Sequence, residues 1–182
     1  SITALIARFY DIQSGSVRVD GIDVRDIQLA SLTRRMSVVL QEPYLFSGSI
    51  ADNIRYGRLD ASEDDIKKAA IAVGASDFIE KLDDGYDSVL HERGQNLSGG
   101  QRQLISFARA LVADPAILVL DEATANIDTA TEKVIQEALA TMLKGRTSFV
   151  IAHRLKTILN ADQIIAIHIM NIFGYDEGSF SK

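Results

Sequence analysis

Apolar residues along this chain fall into two patterns, and each predicts its own kind of element. Short continuous runs rich in branched residues occur at Met36–Gln41, Ala116–Leu120 and Thr147–Ala152. The run at Ala116, preceded by Asp114-Pro115, reads as a buried parallel strand, and the other two read as further strands. Elsewhere the apolar positions recur every three or four residues, as they do on one face of a helix. Ile66, Ala69, Ala70 and Val73 follow Ser62 and its capping-box partner Asp65, and Gly74 ends the pattern. Leu104, Ile105, Ala108, Leu111 and Val112 form a second such stripe behind Ser98. Val134, Ile135, Ala138, Leu139, Met142 and Leu143 form a third, within a helix predicted from Thr131 to Leu143 and stopped by Gly145. Shorter helical pieces are expected at Ser1–Tyr10, Ser31–Arg35 and Asp77–Leu82. Alternation over Ser16–Val19, a turn at Asp20-Gly21 and then Ile22–Val24 predict a hairpin. The class is α/β, with strand–helix alternation interrupted by a helical stretch from about Tyr44 to Ala113.

Composition narrows the setting. Hydrophobic residues make up 47% of 182, enough to bury a sizeable core, but they are dispersed and form no run long enough to span a bilayer. No secretory signal is visible. With 0 cysteines there is no disulfide framework and no thiolate metal site. A formal charge of -6 argues against a nucleic-acid surface, which calls for basic patches.

Candidate chemistry lies at the ends of these elements. Ser98-Gly99-Gly100 opens a helix: the serine can cap it, and the glycines leave its first amides open to a ligand. A helix N-terminus with bare N–H groups is an anion site, phosphate being the usual anion. The Ala116 strand ends in Asp121 and Glu122, at the edge where open α/β sheets bind ligands. Asp121 suits a hard cation such as Mg²⁺, and Glu122 suits a general base or a residue that orients an attacking water. The strand from Met36 ends at Gln41, whose amide can ligate a metal or hold a water. The strand from Thr147 ends at His153, either a donor to phosphate or water or a bystander.

These four blocks, in this order, resemble the nucleotide-binding domain of ABC transporters. Leu97 to Gln101 matches the family's signature motif without a change, Ile117 to Glu122 is similar to its Walker B strand with the catalytic glutamate, Gln41 to the Q-loop glutamine and His153 to the switch histidine. The resemblance runs from Ser1 to about Ile167. It implies a P-loop NTPase (RecA-like) core, with residues 1–43 and 114–182 as its two parts and 44–113 as an inserted α-helical signature subdomain. It implies ATP and Mg²⁺ as cofactors and a head-to-tail dimer with a second nucleotide-binding domain. Ser98, Gly99, Gly100 and Gln101 would serve the partner's ATP. Glu122, His153 and Gln41 would be catalytic, Asp121 and Gln41 would hold the metal, and Ser1 and Asp128 would contact nucleotide. Pro43–Ile50, with Asn53-Ile54 after it, resembles exporters rather than importers. Leu45 and Phe46 there either meet the coupling helices of a membrane domain or pack inside the helical stretch. His91-Glu92-Arg93-Gly94 resembles the exporters' X-loop, the alternative being a solvated charged loop. The whole would work at the cytoplasmic face of a membrane.

The chain also departs from the family pattern. Counting back from Arg8-Phe9-Tyr10, Ser1 falls on the second Ser/Thr of the Walker A loop, so the loop's lysine is expected before residue 1. The first strands and the adenine-stacking aromatic are missing in the same way. The chain alone is therefore expected not to hydrolyse ATP. Ala125 lacks the usual D-loop hydroxyl, although Asp128 is kept, and the tail after Ile167 does not follow the family. Two other readings remain at this level: an inactive fragment or partner-binding module, and a soluble ABC-type ATPase unconnected with transport.

Overall fold

The computed structural model describes residues 2–121, 129–151 and 161–165. The chain begins with α1 (Ile2–Ile6), the hairpin strands β1 (Arg18–Val19) and β2 (Ile22–Asp23), α2 (Leu29–Arg34) and β3 (Met36–Val39). It continues through β4 (Gly48–Ser49), α3 (Ile50–Arg55), α4 (Glu63–Ala72), α5 (Ser76–Ile79) and β5 (Val89–Leu90). It then runs through α6 (Gly99–Val112), β6 (Ile117–Asp121), α7 (Thr129–Leu143) and β7 (Thr147–Ile151). Among the described residues no helix is long and apolar enough to cross a membrane.

The three apolar runs become one parallel sheet in the order β3-β6-β7. Val39 is opposite Leu120, and Asp121 is opposite Ile151. Ile117 to Leu120 are all buried, which is why this central strand is apolar at every position rather than at alternate ones. Its carboxyl end carries Asp121, the first position at which the burial relaxes.

Helix α6 organises the remainder. It packs on α3, α4, α7 and β3, and its residues Ile105, Phe107 and Ala108 are wholly buried. One continuous core joins Val39, Leu118 and Leu120 of the sheet, through α6, to Ile54 and Ile66 on one side and Ile135 and Met142 on the other. Ser37 Oγ donates to the Ala110 carbonyl at 3.1 Å, fixing the last turn of α6 against β3. The end of α3 lies directly on α6: a Cβ on Gly57 would stand 1.9 Å from the Arg109 carbonyl oxygen.

Helix starts are set by local chemistry. Ser49–Asp52, Ser62–Asp65 and Ser98–Gln101 are reciprocal capping boxes on α3, α4 and α6. In the first two, the bonds from the serine hold the Asp52 and Asp65 carboxyls below their ordinary range, and Arg55 and Arg58 add to it. Gly74 and Gly145 follow α4 and α7 with φ of 69° and 73°, the left-handed turn that ends a helix cheaply only at glycine.

Several expectations change. The helix expected over Ser1–Tyr10 stops at Ile6, where the chain turns at Arg8 with φ 55° and the Arg8 guanidinium donates to the Val24 and Ile27 carbonyls. α2 begins two residues earlier than expected, and α5 ends at Ile79 rather than Leu82. The stretch 44–113 is not helical throughout, because β4 and β5 pair antiparallel with Gly48 opposite Leu90. Unlike the β1–β2 hairpin, whose strands are joined by the Asp20-Gly21 turn, β4 and β5 lie far apart in the chain and no local turn marks their pairing.

Gly57→Ala should destabilise the chain by about 2–3 kcal/mol or more, since the added methyl overlaps backbone that cannot move without shifting α6. Ser98→Ala should cost about 1 kcal/mol through loss of the α6 cap. Denaturant unfolding of both variants against the parent checks these values.

Candidate functional site

Two groups of candidate residues emerge, and the fold keeps them apart. The first lies at the carboxyl edge of the sheet. Asp121 ends β6, and Gln41 stands two residues beyond Val39 on the neighbouring strand, so parallel register brings both to one edge. Asp121 is half-buried and Gln41 is exposed. Among the described residues no cluster of three or more His, Asp or Glu side chains could hold a metal. One carboxylate and one amide oxygen suit a hard cation that takes its other ligands from water and a bound phosphate, the usual manner of Mg²⁺. Ile151, opposite Asp121, brings β7 to the same edge. Glu122, Asp128, His153 and Ser1, the other residues expected to act on nucleotide, lie outside the described residues, as do Ala125 and the tail from 166.

The second group is the N-terminus of α6. Ser98 Oγ accepts from the Gln101 amide at 3.2 Å, and Gln101 Oε1 accepts from the Ser98 amide at 2.9 Å. Gln101 is thereby committed to the cap. The cap uses only a lone pair of the Ser98 hydroxyl, leaving its proton to donate. The amides of Gly99 and Gly100 occupy the first two helical positions, where no intrahelical acceptor exists. Three donors without an acceptor make a site for an anion, and the helix dipole adds to it. Arg102 donates from Nη1 to the Leu97 carbonyl at 2.6 Å, bracing the loop before the helix. No described hydrogen bond links this group to Gln41 or Asp121.

The loop after Gln41 and the end of α3 carry an exposed aromatic row that sequence reasoning saw only in part. Leu45 is 0% exposed and Phe46 38%, so the pair splits: Leu45 is core, and Phe46 is surface. Phe46 stacks on Tyr56 at 4.4 Å and meets Tyr44 edge-on at 5.2 Å. The guanidinium of Arg93, from the 91–94 loop, stands 5.9 Å from the Tyr44 ring centre, and that of Arg109 5.4 Å from Phe46. Such stacking is worth about 0.5–1 kcal/mol at exposed sites. Arg109 is half-buried, and partial desolvation pulls its pKa down. The sequence offered one signal for it, a basic residue in the last turn of α6.

Comparisons with known proteins bear on the family and the fold. The family model described as ABC transporter matches residues 1–125. An uncharacterized ABC transporter ATP-binding protein, YknV, of Bacillus subtilis (strain 168) is 58% identical over 167 residues, covering 92% of this chain and 28% of that protein. An ATP-dependent lipid A-core flippase of Syntrophus aciditrophicus (strain SB) is 50% identical with the same coverage of each. A solved structure, a bacterial Atm1-family ABC exporter with ATP bound, superposes with a TM-score of 0.80 at 42% identity over 88% of this chain and 28% of that one. The chain thus spans a little over a quarter of the length of these relatives. Its sheet and helices are those of the P-loop NTPase fold in its ABC ATPase form. With more than half of its residues matched by the family model, the chain belongs to the ABC transporter family.

Proposed function

We propose that this chain is part of the ATP-binding and ATP-hydrolysing domain that powers an ABC exporter, working as one half of a head-to-tail dimer. The observation that carries this reading is the separation of the two groups. A donor-only phosphate site at Ser98–Gly100 and a sheet edge with Gln41 and Asp121 share no described contact, and each lacks what the other offers. Two copies placed head to tail supply both to one nucleotide. Ser98, Gly99 and Gly100 donate to phosphate oxygens of the partner's ATP as negative charge spreads over them. Gln101 serves that site by holding Ser98 in place. In the chain's own site Asp121 and Gln41 would hold Mg²⁺, which would supply charge neutralisation on the phosphates when bound. Glu122 takes a proton from the attacking water, His153 donates to the transferred phosphoryl group, and Ser1 and Asp128 contact nucleotide or the dimer neighbour. The unit sits at the cytoplasmic face of a membrane.

The partner in the membrane is a transmembrane domain whose coupling helices rest on Tyr44, Phe46 and Tyr56. Large amphipathic rings exposed together, with Arg93 and Arg109 against them, are what a docked helix buries. The relatives named as exporters and flippases favour outward transport over a soluble role.

In a membrane-reconstituted transporter containing this domain, Glu122→Gln should slow ATP hydrolysis by at least about a hundredfold while leaving ATP binding in place. Unchanged turnover would sink the catalytic assignment. In a dimer of one Ser98→Arg and one unmodified protomer, hydrolysis at the unmodified protomer's Walker site should be lost, and its persistence would refute the shared-site geometry.

A further inference from the structure

One half-buried cation links the aromatic row to the helix that carries Ser98, and the reading above uses only its contact with the Phe46 ring. Arg109, in the last turn of α6, donates from Nη1 to the Tyr44 carbonyl at 2.7 Å, from Nε to the Asn53 carbonyl at 2.8 Å and from Nη2 to Asn53 Oδ1 at 2.8 Å. Asn53, 1% exposed, completes the joint. Its Oδ1 also accepts from the Phe46 amide at 2.9 Å, and its Nδ2 donates to the Phe46 and Ser49 carbonyls at 2.9 and 3.0 Å. Both backbone polar groups of Phe46 are therefore held by a side chain of α3, which is itself held by α6. Among the described residues no carboxylate pairs with Arg109, so its charge is met by oxygens of the chain segments it joins.

We propose that Arg109 and Asn53 are positioning residues: a clamp that makes segment 44–49 and α6 move as one body, so that displacement of the aromatic row is carried along α6 to Ser98. This rests on the docking role given to Tyr44, Phe46 and Tyr56 above. The geometry demands arginine. Three acceptors lie around one guanidinium fork, and a lysine ammonium, a single point of charge on a flexible stem, cannot reach all three in that arrangement. The lever is stiff because the clamp joins helix to backbone. From Arg109 to Ser98 is about 16 Å of continuous α-helix.

The test uses the full transporter in lipid, with spin labels on Ser47→Cys and Lys68→Cys. Both positions are exposed, one on the clamped segment and one on α4, which packs against α6. The chain itself has 0 cysteines, so cysteines need replacing only elsewhere in the transporter. With Arg109 intact, one narrow distance should persist in nucleotide-free and vanadate-trapped states. Arg109→Lys should widen the distribution about twofold or more, since the fork is lost while the charge stays. A width unmoved by Arg109→Lys, or a distance that shifts between states with Arg109 intact, overturns the clamp. Amide exchange of the unsubstituted protein gives a check that needs no variant to fold. The Phe46 amide should exchange about a hundredfold more slowly than that of its neighbour Ser47, and equal rates overturn the clamp as well. Hydrolysis that survives Glu122→Gln would count against the functional reading instead, whatever the label distances show.

Discussion

A guanidinium drawn even partly out of water needs acceptors for its N–H groups, and in this fold meeting that requirement ties distant segments together. Arg109 reaches Tyr44 and Asn53, and Asn53 reaches Phe46 and Ser49. These bonds fix the loop after Gln41 against α3 and both against α6. Gly57 packs on the backbone carbonyl of the same arginine, where there is no room for a side chain. Removing one partner would leave buried polar groups unpaired, which costs more than the bonds themselves contribute.

With one end of α6 fixed in this way, its other end is free to serve a ligand. The last turn is pinned to the sheet through Ser37 and Ala110, while the first turn keeps a hydroxyl proton and the Gly99 and Gly100 amides without intrahelical acceptors. The helix thereby spans from the sheet to an anion site about 18 Å away. The capping box keeps that first turn intact without consuming the donors of Gly99 and Gly100. In the proposed reading a single chain built like this would present two half-sites, and a symmetric partner would complete both.

The aromatic row follows from the same joint. Phe46 faces outward because its neighbour Leu45 faces inward, into contact distance of Gly94, where a Cβ would come within 2.9 Å of the leucine. Gly94 has a φ of 65°, so the 91–94 loop closes over Leu45 only with glycine there. The loop's Arg93 then comes to rest by Tyr44. Core packing on one side of the chain thus sets which rings are displayed on the other.

Much of this was legible in the sequence. The capping box at Ser62, the cap at Ser98, the glycine stops at Gly74 and Gly145, the hairpin at Asp20-Gly21 and the three apolar strands all depend on residues within a few positions of one another. Local bonds and periodicity are written in local sequence, and they specified these elements. The signature and strand-end residues likewise specified the family. What only the tertiary structure decided depends on residues far apart in the chain. The order β3-β6-β7, the pairing of Gly48 with Leu90, the inward turn of Leu45 and the partners of Arg109 each require a meeting across a long loop. An asparagine and an arginine 56 positions apart carry no mark that they will meet. Their bond forms because the core brings them together and buries the asparagine, which has only protein groups left to bond.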